Sequence, residues 1–317
     1  MSLEGLVCPR DHTPLARTAD RLSCTNGHRY PIVEGVPVFL IEEERPTHFS
    51  CAWSLELAEG GVGAAAETNG AGVDPVVQSA IAASCGNLYK HMVERATEYP
   101  IPEIRLPEGH GQRFLELGCS WGRWCVSATR RGYTVVGVDP SLEGVLAAKR
   151  VAKTLGVEAE YIVADARHLP FPDRSFDVVF SYSVLQHFAK DDVRTTLAEA
   201  GRVLRPGGTA LIQVANRFGV RSLYNRLRRG SKAEETFDVR YWTPHELEET
   251  FAGLIGPAEI EVDGFFSLNA QRTDVRLLRR DGRALVYTSD ALRRIARMVR
   301  PLTYVADSLY VRSKRDT

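Results

Sequence analysis

From Arg113 onward, runs of apolar and β-branched residues alternate with segments of helical periodicity, and no other feature narrows the possible folds so far. The runs are RFLELG, YTVVGVD, AEYIVAD, FDVVFSYS and TALIQVAN, with helical patterns between them. Strands separated by helix-length segments need crossover connections, which pair them in parallel and cover both faces of the sheet. The reading is a doubly wound α/β fold, with the late segment ADSLYVRSKR as a last, antiparallel strand.

The chain has 317 residues, more than the roughly 100–200 of one ordinary domain. Residues 1–45 carry Cys8, Cys24 and HRYPIVEGVPVFLI, whose β-branched and aromatic residues between Pro and Gly predict a small β-rich module. Residues 46–74 are read as a flexible linker, because the Gly- and Ala-rich stretch from Glu56 onward has too few large side chains to fix a conformation. The main domain takes residues 75–317. A helix over 75–99 opens it, with Pro75 in the first turn and a stripe of Val76, Ile81, Leu88, Met92 and Val93. A ligand-binding core follows over 113–215, then an insertion over 216–243.

Forty basic residues against forty acidic ones exclude a global field that would steer the chain to nucleic acid or an anionic membrane. No run approaches the roughly 18 apolar residues of a membrane span, and the N-terminus lacks a basic start followed by an apolar stretch. A cytoplasmic protein is expected. Six cysteines are too few for a disulfide scaffold, so reduced thiols are expected.

In such sheets ligands bind at the loops after the strands. The first loop is Glu116-Leu-Gly118-Cys-Ser120-Trp-Gly122, where glycines let the backbone turn sharply and approach a ligand closely. The next strand ends at Asp139, about 20 residues beyond the glycines, where an acid can accept hydrogen bonds from both ribose hydroxyls of an adenosine ligand. After the third strand, Ala164-Asp165-Ala166 places another carboxylate within reach of an adenine amino group.

ELGCSWG, VGVDPS, VADARHLPFPDRSFDVVFSYSVLQHF and VLRPGGTALI, in that order, resemble the class I S-adenosylmethionine-dependent methyltransferases, in particular the small-molecule branch with the ubiquinone and menaquinone methyltransferases. The resemblance covers roughly 110 continuous residues and implies a Rossmann-like, mostly parallel seven-stranded sheet. It also implies that Glu116, Gly118, Ser120 and Gly122 surround the amino-acid part of S-adenosyl-L-methionine, that Asp139 holds the ribose, and that Asp165 and Ala166 meet the adenine. Ser181 and Tyr182 would face the methyl group and the substrate. Ser120 stands where the family pattern has its middle glycine, and its side chain is small enough to leave the pocket open.

A sulfonium is already a good leaving group, so a general base is needed only where the nucleophile must lose a proton. His187, just past the fourth strand, is a catalytic candidate; the alternative is a histidine that supports the loop. Tyr89, on the leading helix, is the second candidate, against an aromatic on a helix face. His245 sits where Thr243 and Glu246 form a capping box, which favours a structural role. Residues 216–243 fall where similar enzymes build a substrate lid. The arginines there, with those of RTDVRLLRRDGR and ALRRIARMVR, suit an anionic acceptor, or else are solvated helix faces.

In the N-terminal module Cys8, His12, Cys24 and His28 repeat C-x3-H twice, two thiolates and two imidazoles suited to tetrahedral Zn2+. A piece this small needs a staple. CP-x-x-H-x-PL and YPI-x-x-GVPVFL resemble the zinc ribbons that precede certain bacterial ribosomal RNA guanine methyltransferases and those of the tRNA methyltransferase activators. Those ribbons have a cysteine where this chain has Asp11, so Asp11 or the adjacent His12 replaces it, or the module is metal-free.

The favoured function is methyl transfer to a small-molecule or lipid-precursor acceptor. The alternatives are an RNA (rRNA base) methyltransferase, which should show a more basic balance and stacking aromatics among its arginines, and a non-catalytic methyltransferase-like binding protein.

Overall fold

The computed structural model describes residues 5–46, 48–60, 72–229, 239–266 and 268–316. Its first four strands, β1 (Leu15–Arg17), β2 (Arg21–Cys24), β3 (Arg29–Val33) and β4 (Val36–Pro37), form an antiparallel meander. This β-rich module does not hang free. Val38 bridges in parallel to Val163, the Phe39 N–H donates to the Val163 carbonyl at 2.7 Å, and Val7 N–H donates to the Pro170 carbonyl. Leu6, Leu22, Tyr30 and Phe39 share one apolar cluster with Leu115 and Ile162 of the large sheet and Phe171 of the loop after β7. The module thereby covers a sheet edge that would otherwise present unpaired backbone groups.

Helix α1 (Ser50–Gly60) corrects the linker reading of residues 46–74. Buried Ser54 donates to the Pro140 carbonyl and accepts from the Leu142 N–H, both at 2.8 Å. Cys51, Leu55, Leu57 and Ala58 join the apolar cluster beneath. The glycines and alanines that suggested a linker lie mostly in 61–71, outside the described residues. Helix α2 (Pro75–Cys85) starts at Asp74, whose side chain accepts from Val76 N–H, and ends at Gly86 with φ +101°. The expected single helix over 75–99 is therefore broken, and a 3-10 turn, Asn87–Met92, follows. The left-handed glycine stops a helix that the apolar stripe alone would continue.

The main sheet then builds as β5 (Arg113–Leu117), α3 (Arg123–Arg130), β6 (Thr134–Asp139), α4 (Leu142–Thr154), β7 (Ala159–Val163), β8 (Phe176–Tyr182), α5 (Lys190–Val203) and β9 (Leu204–Ala215). It is completed by α6 (Val220–Arg229), α7 (Pro244–Leu254), β10 (Ala258–Gly264), α8 (Arg280–Ala296), α9 (Leu302–Val305) and β11 (Ser308–Lys314). The strand order is β10-β11-β9-β8-β5-β6-β7. Neighbours from β9 to β7 pair in parallel, and β11 runs antiparallel to both β9 and β10. This is the expected Rossmann-like seven-stranded sheet. Central strands such as β5 and β8 are mostly apolar, with Phe114, Leu115 and Leu117 in one and Phe176, Val178, Val179 and Phe180 in the other, because helices cover each side.

Candidate functional site

The carboxyl ends of β5, β6, β7 and β8 open into a cavity of about 340 Å³. Its floor is the turn after β5. Gly118 has φ +79°, and a Cβ there would stand 2.3 Å from Val184 Cγ2. Gly122 has φ +80°, and a Cβ would meet the Tyr161 hydroxyl at 2.8 Å. Both positions require glycine for conformation and for space. Ser120 holds φ +48°, a left-handed residue in the middle glycine's place.

Asp139, at the end of β6, ties this turn to the next. One carboxylate oxygen accepts from Ser120 N–H at 2.8 Å and the other from Ser141 N–H at 2.9 Å. Burial pushes its pKa up to about 6, against the lowering effect of those two N–H groups. Buried Glu116 accepts from the Cys125 thiol at 2.9 Å, and burial raises its carboxyl to about 8. Glu116, Gly118, Ser120, Asp139, Ala166, Tyr182 and His187 all line the cavity. Gly122 stands behind it, where α3 begins.

Three residues fall elsewhere than expected. Asp165 is turned into an ion pair: its oxygens accept from the Arg167 backbone N–H, Nε and Nη2 at 2.8–3.3 Å. Only its neighbours Ala164 and Ala166 reach the cavity. Ser181 donates to the Leu117 carbonyl on the neighbouring β5 at 2.9 Å and does not line the cavity; Tyr182 and Ser183, at the end of β8, do. Tyr89 is wholly buried and donates to Asp274 at 2.5 Å, outside the cavity wall. Its place among Val77, Ile81 and Val286 makes it a core aromatic and removes it as a catalytic candidate. His245 is exposed beside Glu249, and Thr243 and Glu246 do form the capping box that starts α7.

Other lining residues escaped the sequence reading. Arg123 is 4% exposed, its Nε and Nη2 have no hydrogen-bond partner, and the Asp274 carboxylate stands 3.7 Å away. A cation so placed on the cavity wall suits a carboxylate ligand. Its position one residue after the glycine turn was the available signal. His48 and Phe49 close the cavity from the N-terminal side, and burial lowers the His48 pKa. Nothing local marks them, since only the docking of the module and α1 brings them there.

In the N-terminal module, Cys8, Asp11, Cys24 and His28 present ligand atoms within 4.8 Å of one another. Asp11, not His12, completes the set. His28 Nδ1 is 3.4 Å from both Sγ atoms and 3.3 Å from Asp11 Oδ2, and Cys24 Sγ is 3.8 Å from that oxygen. Asn26 and Thr13 donate to Asp11 and orient it.

Residues 115–212 match the methyltransferase domain family. The central part of the chain is thus similar to a methyltransferase domain. A ubiquinone biosynthesis O-methyltransferase of Rhizobium etli is 32% identical over 151 residues, covering 45% of this chain and 58% of that protein. The protein of the same name from Agrobacterium fabrum is 32% identical over 161 residues, covering 50% and 60%. The chain thus spans about three-fifths of the length of the curated relatives it matches. A SAM-dependent methyltransferase structure from Thermotoga maritima is similar at 18% identity with a TM-score of 0.45, covering 67% of this chain and 84% of that one. Among the described residues no helix is long and apolar enough to cross a membrane.

Proposed function

We propose that the chain transfers the methyl group of S-adenosylmethionine to a small-molecule or lipid-precursor acceptor. The observation that carries this reading is the pairing of Asp139 with the Gly118–Ser120–Gly122 turn in one cavity. Gly118, where a Cβ would strike Val184, lets the turn line the cavity closely, and the carboxylate stands where ribose hydroxyls would donate. Arg123 would hold the methionine carboxylate, Glu116 its amino group, and Ala166 would border the adenine. When bound, the cofactor supplies an electrophilic methyl on a sulfonium; the protein's part is positioning and exclusion of water.

The name of the similar rhizobial proteins makes hydroxyl-bearing small molecules the first acceptors to screen. For a hydroxyl, His187 on the cavity wall is the residue placed to take the proton. Residues 216–243 fit a lid. Trp242 bridges to Asn216, and Arg240 holds the turn of His187 through the Gln186 and His187 carbonyls; residues 230–238 lie outside the described residues.

Calorimetric titration with S-adenosylmethionine tests the reading. Binding in the micromolar range is expected, lost at least tenfold in Asp139→Ala. Ribose recognition needs the ionised carboxylate. With Asp139 raised to about 6, affinity should hold above neutral pH and fall as pH drops from 7 to 5. A folded wild-type protein that does not bind the cofactor would sink the reading.

We further infer that the N-terminal module binds Zn2+ through Cys8, Asp11, Cys24 and His28. Zinc bonds of about 2.0–2.3 Å in a tetrahedron put ligand atoms roughly 3.5 Å apart, and the four separations given above run from 3.3 to 3.8 Å.

A further inference from the structure

A second cavity, of about 890 Å³, lies between α8, β10 and the loop around Arg105. Eight arginines line it against four acids, Glu103, Glu261, Asp263 and Asp290. Four positive charges are therefore in excess on this wall of a chain whose charges otherwise balance. The acids are already engaged. Asp263 pairs with Arg105 at 2.6 Å and Glu261 with Arg312 at 2.5 Å. Asp290 alone serves Arg272, Arg293 and Arg294, at 3.5, 2.6 and 3.0 Å, and Glu103 lies 4.0 Å from Arg131. Among the described residues, Arg297 and Arg300, on the rim, make no ion pair.

Two buried donors on residues that line the cavity lack hydrogen-bond partners. Gln271 is 9% exposed, and its Nε2 is buried without a hydrogen bond, although its Oε1 accepts from Glu103 N–H. Arg293 Nε is in the same condition. Buried donors left unmade are costly, and both belong to residues that line a cavity whose wall carries net positive charge. Such a wall is complementary to an acceptor-rich anion. The excess charge exceeds what one carboxylate neutralises and suits a phosphate or pyrophosphate, which guanidinium forks bind in pairs.

Tyr182 places this site beside the proposed methyl site, because it lines both cavities. Its ring stacks on Trp124 with centroids 4.6 Å apart, while its hydroxyl donates to Asp263 at 3.0 Å. We propose that the second cavity is a phosphate-recognition subsite for the methyl acceptor, a small phosphorylated molecule. Its acceptor role rests on the methyl-transfer reading.

The test is calorimetry on the full chain with inorganic pyrophosphate at low ionic strength, in the wild type, in Arg297→Glu/Arg300→Glu, and in a charge-matched control, Arg17→Glu/Arg174→Glu, whose residues lie outside this cavity. The expected result is saturable binding weakened at least tenfold by the rim pair and less than twofold by the control, with S-adenosylmethionine affinity unchanged in both. Equal weakening in both variants would reduce the effect to bulk charge and overturn the proposal. So would tighter binding of citrate than of pyrophosphate, which would make the site a carboxylate site, or tighter binding of a single-stranded RNA oligonucleotide. Pyrophosphate failing to bind while S-adenosylmethionine binds sinks the subsite alone. The reverse pattern removes the acceptor role together with the reading it rests on.

Discussion

At the residue scale, the turn after β5 shows how little freedom the site leaves. Gly118 is held at φ +79° with Val184 pressed against the space a side chain would need. Gly118→Ala should lower stability by about 1–3 kcal/mol, the cost of a non-glycine residue held in a disfavoured backbone region, and should abolish S-adenosylmethionine binding. Thermal denaturation and titration check both. Adding Val184→Ala should restore part of the stability, because it removes the clash and leaves the backbone cost. Ser120, already left-handed at φ +48°, is the contrasting case in which a small side chain is accommodated. The sequence showed which residues form this turn, but not that Asp139 would be bound to it through Ser120 N–H.

At the element scale, Arg167 joins three segments. It binds Asp165 after β7, Asp192 at the start of α5 at 3.1 Å, and the Arg45 carbonyl in the segment before α1 at 2.6 Å. Its side chain and both carboxylates are largely buried. Arg167→Met would leave two carboxylates poorly compensated and should cost about 3–5 kcal/mol, measured by urea denaturation, while cofactor affinity changes little. A parallel loss of cofactor affinity at full folding would return Asp165 to the adenine site. From sequence, Asp165 was indistinguishable from a ligand-facing acid. The competing partner is two residues away in the chain, and what fixes its side chain, Asp192 and the Arg45 carbonyl, comes only from the tertiary fold.

At the scale of the whole molecule, the N-terminal β-rich module and the seven-stranded domain share a core, so the small unit's integrity bears on the large one. Leu22, Tyr30 and Phe39 pack into the cluster that holds Leu115 and Ile162. His48 and Phe49, from the same end of the chain, wall the cofactor cavity. Stripping Zn2+ with a chelator should lower the temperature of a single unfolding transition by several degrees and weaken cofactor binding, and Asp11→Ala should lower the zinc content of the purified protein. Loss of all metal with an unchanged transition temperature would make the Cys8–Asp11–Cys24–His28 cluster a hydrogen-bonded staple in its own right.

Local pattern sufficed where the physics is local. The period of the apolar runs determined a parallel sheet with helices on both faces, the glycine spacing determined the ligand turn, and C-x3-H spacing brought Cys24 and His28 to one point. Tertiary structure alone decided matters that depend on partners remote in the chain. It brought Asp11 and not His12 to Cys8, Cys24 and His28, withdrew Tyr89 into the core with Asp274, fixed Arg167, the partner of Asp165, on Asp192, set Ser181 against the Leu117 carbonyl, and ordered α1 on α4. It also gathered arginines from the loop before β5, α8 and β11 around one cavity. A side chain's direction and pairing follow from the groups packed around it, and those are set by the closing of the chain, over which sequence spacing has no hold.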